Sequence, residues 1–287
     1  MDEWQIYFEV KGLVAPEKPL KFDDKIAFKK ATKPKDEKHE ESDDLSVIFI
    51  KSSVGPLQPK VMEETRSLLQ KILYFYGLVA GRYVEFPYNL GASQITESAP
   101  FGEIIGFSRT FSTVTLNDKQ KEEWIRLLKY SMQSLNKFGS VFTDISKRYL
   151  KNAIIYYYRA LKDLSHLSNE EALIDEMISL ESLLGATGYK LSLRASILLS
   201  LEGKENAYDI QQKIEKLLKK RNGIVHGSEE VSVTNEEVLE LTKYVNKIIF
   251  IFLKVNKPKK DWFSDLDKSI LEWNFRKKLE QLTQKHF

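Results

Sequence analysis

The chain has 287 residues, 42% of them hydrophobic and 30% charged, which describes a globular protein with room for two ordinary domains rather than a disordered or membrane-embedded one. A net charge of only +3 gives no global basic field, so any nucleic-acid partner has to be held by a local patch. Cysteine is absent, which removes disulfide frameworks, thiol catalysis, thiolate zinc sites and iron–sulfur clusters together.

The start, Met1-Asp2-Glu3-Trp4, lacks the basic and apolar runs of a secretory signal, and the greasiest stretch, Ile248 to Leu253, is short and stopped by Lys254. A cytoplasmic protein without membrane contact is expected. Trp4, Ile6, Phe8 and Val10 alternate with other residues and predict a half-buried strand. Lys35 to Asp44 is charged and aperiodic, hence a solvated loop with His39 on its surface, and Leu45 to Ile50 reads as a second strand. Lys60 to Ala80 places Leu68, Leu69, Ile72, Phe75, Tyr76 and Val79 at helical spacing, with Gly77 and Gly81 weakening the end. Tyr83 to Tyr88 and Glu103 to Thr115 read as further strands around the turn-rich Asn89 to Gly102. Residues 1–115 therefore predict a mixed α+β domain, giving an α+β chain overall.

From 116 to 287 the pattern is helical. Asn117 can cap a helix carrying Trp124, Leu127, Leu128 and Leu135. In the next, Phe142, Ile145, Tyr149, Ala153, Tyr156 and Ala160 make one stripe, and Leu150, Ile154, Tyr157 and Leu161 a second. Two adjoining stripes predict burial against more than one partner, as in a bundle. Ser168-Asn169-Glu170-Glu171 and Thr234-Asn235-Glu236-Glu237 are capping boxes. The second opens a helix whose Val238, Leu241, Val245, Ile248, Phe252 and Val255 face inward. A last helix, about Trp262 to Lys285, carries Trp262, Leu266, Ile270 and Trp273.

Between two helical stretches lies Lys219-Lys220-Arg221-Asn222-Gly223-Ile224-Val225-His226-Gly227. An arginine, a polar residue, three more residues and a histidine is a pattern that resembles the HEPN-domain ribonucleases. The wider segment, Ala172-Leu173, Glu181-Ser182-Leu183-Leu184, Leu193-Arg194-Ala195 and His226-Gly227, is similar to their Apea-like branch, over about residues 120–256. The resemblance implies a helical bundle that cuts RNA without a metal or other cofactor, as a homodimer that brings two motifs together. It also implies a role in prokaryotic antiphage defence, with residues 1–115 as sensor or substrate selector, and a regulatory protein partner.

The residues themselves suit that chemistry. Metal-independent cleavage uses the 2′-hydroxyl as nucleophile and needs a base, an acid and positive charge for the phosphorane. His226 titrates near neutrality and can serve as base or acid. Arg221 offers a fork that matches phosphate oxygens, Asn222 can add a neutral hydrogen bond, and Lys216, Lys219 and Lys220 can draw in RNA or simply form a solvated helix face. Residues five apart on an ideal helix point about 140° apart, so Arg221 and His226 share a site only if the helix breaks, and Asn222-Gly223 is the expected break. Glu181 and Arg194 fall on apolar stripes, where charges are costly unless paired. The expectation is that they pair with each other, as a brace, or that Glu181 orients Arg221 or His226.

Other readings stay open. Arg221 and His226 also suit a helix end, with Gly227 as a left-handed cap. The bundle is then a non-catalytic dimerisation or binding module; alternatively the chain is the toxin of a toxin–antitoxin pair. His166 reads as a loop residue and His286 as frayed, and the scattered histidines make no metal site. Tyr156, Tyr157 and Tyr158 read as packing rather than a base-stacking platform.

Overall fold

The computed structural model of the chain describes residues 4–9, 20–21, 26–32, 44–52, 59–81, 83, 90–94, 126–127, 130–131, 133–201, 205–227, 231–255 and 258–284. Contacts divide the chain into two compact units, residues 1–79 with 84–135, and residues 80–83 with 136–287. The residues around 116, where the hydrophobic period changes, lie outside the described residues.

In the first unit, strands β1 (Trp4–Glu9), β2 (Leu20–Lys21), β3 (Ile26–Thr32), β4 (Asp44–Ser52) and β5 (Leu90–Gln94) pair in the order β2-β3-β4-β1-β5, with every pairing antiparallel. β1 and β4 coincide with two of the expected strands, Trp4 lying opposite Ser52. Neither β3 nor β5 is anticipated by pattern. Lys29 and Lys30 interrupt the apolar alternation of β3, and Leu90-Gly91-Ala92-Ser93-Gln94 contains no β-branched or aromatic residue. The loop expected over Lys35 to Asp44, apart from Asp44 in β4, and the strand over Glu103 to Thr115 lie outside the described residues, as does Tyr83 to Tyr88 apart from Tyr83, which is not in a strand. Helix α1 (Pro59–Ala80) opens on a proline, which costs nothing at a first helical position. Its residues Ile72 to Tyr76 and Leu78 are buried, and Gly81 at φ +62° terminates it.

The second unit is an all-α bundle. Helical residues 133–138 (α2) run into two 3-10 turns, Gly139–Phe142 and Ile145–Lys147, followed by α3 (Arg148–Ser165), α4 (Asn169–Leu184), α5 (Gly188–Ser200), α6 (Ala207–Val225), α7 (Asn235–Val255), α8 (Lys259–Leu271) and α9 (Trp273–Gln284). The unbroken helix expected through Phe142 and Ile145 is corrected here. The Asp144 carboxylate accepts from the Ser146 N–H at 2.9 Å and starts a fresh turn, leaving Ile145 89% exposed. The helical period therefore begins only at Arg148. From there the second stripe is fully buried, with Leu150, Ile154, Tyr157 and Leu161, while in the first Ala153 and Ala160 are buried and Tyr149 and Tyr156 half-buried; α4 and α7 pack against this helix.

Helix α4 is the centre of the unit, touching α3, α5, α6 and α7. Leu173, Met177, Leu180 and Leu184 are fully buried. The last expected helix is two: Glu272 is extended (φ −126°, ψ 113°) and separates α8 from α9, although neither glycine nor proline marks the break. Trp262 and Leu266 are buried as expected, but Ile270 is 40% exposed. The Trp262 ring stacks on Phe252 of α7 with centroids 4.6 Å apart, which docks α8 on the bundle. The capping box at Thr234 is formed: Thr234 Oγ1 accepts from the Glu237 N–H at 3.3 Å, and Glu237 Oε2 accepts from the Thr234 N–H at 3.1 Å. The box at Ser168 is not. Leu167 enters at φ +61°, and the Ser168 hydroxyl makes no cap bond; instead Asn169 Nδ2 donates to the Val233 carbonyl at 3.3 Å, tying the starts of α4 and α7 together. Among the described residues, no helix is long and apolar enough to cross a membrane.

Two features of α4 generate predictions. Gly185 ends the helix at φ +57°, and a Cβ there would lie 2.3 Å from the Phe263 ring. Gly185→Ala adds an overlap with packed aromatic atoms to left-handed strain and should destabilise by roughly 2–4 kcal/mol. Gly188, at φ +56° in open space, should cost about 1 kcal/mol on the same change, from strain alone. Equal losses in urea unfolding would remove the Phe263 contact from the explanation.

The second concerns Asp175, a buried carboxyl 2.9 Å from Arg159 Nε. Burial raises its pKa to about 6 against the opposing pull of Arg159. A folded pKa above the ordinary value means the favourable contribution is complete below about 3.8 and is lost as pH rises through about 6. Asp175→Asn should therefore gain on the wild type between pH 4 and pH 7, by roughly 1–3 kcal/mol in denaturant unfolding. A difference that does not change with pH would mean that Arg159 fully offsets the burial.

Candidate functional site

Helix α6 carries the motif. Asn206 caps it, its Oδ1 accepting from the Tyr208 N–H at 2.9 Å. Ile210, Ile214, Leu217 and Leu218 then form the buried face. Arg221 follows Leu217 and Leu218 by one turn, so it emerges at the edge of that face, with its side chain 23% exposed. The expected break at Asn222-Gly223 is absent: α6 is continuous to Val225. The helix yields instead at His226, whose backbone (φ −94°, ψ 3°) is the C-cap and whose N–H donates to the Asn222 carbonyl at 3.0 Å. Gly227 follows at φ +66°. The helix therefore turns only at its cap, three residues after the glycine that suggested the break.

The Asn222 side chain meets the arginine end of the motif. Its Oδ1 accepts from Arg221 Nη1 at 3.1 Å, and its position four residues before His226 puts it on the histidine's side of the helix. His226 and Asn222 are exposed. Arg221 Nη2 lies 3.7 Å from Glu181 Oε1 of α4, an ion-pair contact longer than a hydrogen bond. Arg221 Nε is buried without a hydrogen-bond partner. The guanidinium is therefore held beside a carboxylate while part of its donor capacity remains unspent.

The expected pairing of Glu181 with Arg194 is corrected. Arg194, 3% exposed, faces α8. Its Nε and Nη2 donate to the Asp267 carboxylate at 2.8 Å each, its Nη1 donates to the Leu184 carbonyl, and its guanidinium lies 4.7 Å from the centre of the Phe263 ring. The reason is geometric: Glu181 and Arg194 lie on helices that meet near the α4 end, but Glu181 points to α6 and Arg194 to α8. Glu181 next to Arg221 is the other arrangement that the sequence allows.

The lysines divide. Lys216 Nζ lies 2.9 Å from Glu237 Oε1, while Lys220 Nζ donates to Glu237 Oε2 at 2.6 Å and to the Ser232 carbonyl at 2.7 Å. Both therefore clamp α6 to the cap of α7. Lys219 is exposed and enters no ion pair among the described residues. Sequence reading missed Asp267, and saw Glu237 as a capping residue but not as the acceptor for two lysines. The spacing of α8 holds no signal for Asp267, since it follows the buried Leu266 directly. Among the described residues no group of His, Cys, Asp and Glu is arranged to hold a metal.

Chemically, this end of the bundle offers one exposed imidazole, one amide, and a guanidinium oriented by a carboxylate. Comparison with known proteins finds no matching family model, no similar curated protein and no matching solved structure.

The Glu237 clamp is testable. Burial alone would raise this carboxyl, but hydrogen bonds from Lys216, Lys220 and the Thr234 N–H override it and bring it down to about 2. A depressed pKa contributes stability that is present above the ordinary glutamate value and lost as pH falls through about 2. Glu237→Gln should cost about 1 kcal/mol at pH 7, allowing for solvent screening, and progressively less in acid. A cost that is constant with pH would show that the carboxylate charge is not what holds the clamp.

Proposed function

We propose that the helical bundle is a metal-independent endoribonuclease of HEPN type, preceded by an α+β domain that senses a trigger or selects the substrate. The single observation that supports this best is the cluster at the end of α6: Arg221 held between Glu181 and Asn222, with His226 exposed one turn beyond Asn222. In this reading His226 removes the 2′-hydroxyl proton or protonates the leaving 5′-oxygen. Arg221 binds the non-bridging phosphate oxygens and Asn222 adds a neutral donor. The 2′-oxygen–phosphorus bond forms as the phosphorus–5′-oxygen bond breaks, giving a 2′,3′-cyclic phosphate and a 5′-hydroxyl. One imidazole cannot be base and acid in one step, so a homodimer that brings in the histidine of a second copy completes the site. In this reading Lys219 is the lysine that meets RNA, since Lys216 and Lys220 are engaged by Glu237.

The reading extends to a cytoplasmic protein of prokaryotic antiphage defence that cuts RNA when a regulatory partner or ligand signals infection. A second reading has its own support: His226 and Gly227 have the geometry of an ordinary helix C-terminus, which a non-catalytic dimerisation module needs as much as a nuclease does.

The two part on RNA cleavage in EDTA by the wild type, Arg221→Ala and His226→Ala. The nuclease reading expects cyclic-phosphate ends from the wild type and a loss of roughly 10²–10⁴-fold in each variant, with the fold intact. Equal cleavage by all three would place the site elsewhere, and no cleavage by the wild-type dimer would favour the module.

A further inference from the structure

We propose that Asp267 of α8 is a positioning residue for Arg221, acting through Arg194 and the last turn of α4; for catalysis, this rests on the nuclease reading above. Asp267 lies beyond residues 120–256, so α8 becomes part of what sets the geometry of the site.

The path is continuous in the structure. Asp267 takes both Arg194 Nε and Nη2 at 2.8 Å, and Lys190 Nζ at 2.9 Å. Held there, Arg194 turns Nη1 onto the Leu184 carbonyl, one of the carbonyls that the end of a helix leaves without a partner. The same terminal turn contains Glu181, whose carbonyl accepts from the Gly185 N–H at 2.9 Å. The Glu181 carboxylate then stands 3.7 Å from Arg221 Nη2.

The central link has little freedom. Arg194 is 3% exposed, and a buried guanidinium does not tolerate loss of Asp267, its only carboxylate partner among the described residues. With that partner removed, Arg194 has to move toward water and release Leu184. The turn beneath Glu181 then loses its only side-chain cap among the described residues, and Arg221 loses the neighbour that fixes it. Phe263 closes the alternative path, because its ring fills the space beside Gly185 and covers the guanidinium.

The test reads Arg221 directly. In ¹⁵N-labelled full-length protein, the Arg221 Nε–H resonance is identified by its loss in Arg221→Lys, and its shift and hydrogen exchange are followed. Asp267→Asn should move the resonance and accelerate exchange roughly tenfold or more. In RNA cleavage, the same variant should lower kcat roughly tenfold or more with KM changed less than about threefold. Val141→Ala, a core truncation beside α3, supplies general destabilisation and should leave the resonance unmoved. If Asp267→Asn does not fold, Asp267→Glu keeps the charge, lengthens the arm and should displace the resonance in the same way. An Arg221 resonance identical in the wild type and the Asp267 variants would overturn the proposal. A resonance that moves in a protein that cuts no RNA would uphold the positioning and sink the nuclease reading alone.

Discussion

The second unit depends on burying a guanidinium. An isolated charge in a protein interior is prohibitively costly, and it survives only when both its charge and its donors are satisfied. Arg194 meets that condition with a fork-on-fork pair to Asp267, a helix-end carbonyl and the face of Phe263. These partners come from α4 and α8, so the helices cannot separate without exposing a charge pair that needs all of them. Gly185 belongs to the same arrangement. Its missing Cβ admits the Phe263 ring, and its left-handed backbone ends α4 where Arg194 can reach the last carbonyl.

Helix α4 buries two acids side by side. Glu176 is fully buried, and burial pushes its carboxyl well above the ordinary range. Asp175, on the adjacent position, takes the ionic route with Arg159 and meets it only halfway, since burial outweighs the cation. Polar atoms nearby are satisfied more fully: Asn246 Nδ2 donates to the Tyr157 hydroxyl at 3.0 Å, and Ser179 Oγ donates to the Ala153 carbonyl at 2.9 Å. The bonds from Asn246 and Ser179 cross between α7 and α3 and between α4 and α3, giving the apolar packing a fixed register.

Period was readable in the sequence, and so was one of the two capping boxes; choice of partner was not. Leu150, Ile154, Tyr157 and Leu161 announced their burial because 3.6-residue spacing leaves no other use for such a row. Thr234 and Glu237 announced their cap because both halves of that device lie within one turn. Ile145 failed for the same reason in reverse: the stripe continued across Asp144, whose side chain closes a turn of its own. Glu181 and Arg194 were recognisable as charges in apolar surroundings, which fixes that each needs a partner. Which partner each finds depends on how α5, α6 and α8 approach α4, and that is a property of packing. Lys216 and Lys220 pose the same problem, since a basic run looks alike whether its partner is phosphate or Glu237.

The electrostatics at the end of α6 narrow what the site can bind. With Lys216 and Lys220 drawn to Glu237, Lys219 and Arg221 are the cations of the run left for another partner, and Arg221 already has Glu181 within 3.7 Å. So small an excess of positive charge suits a clamp on one phosphate better than a track for a long backbone. On the nuclease reading, affinity for extended RNA must then come from a second copy or from the first unit. A clamp of that kind depends on accurate placement more than on charge, because one guanidinium has to meet one phosphate in a fixed orientation. The arginine is the residue here whose surroundings supply that placement, since Asn222 and Glu181 bracket its head. His226, by contrast, stands exposed on a helix cap, where on the nuclease reading a substrate or a second copy completes its orientation.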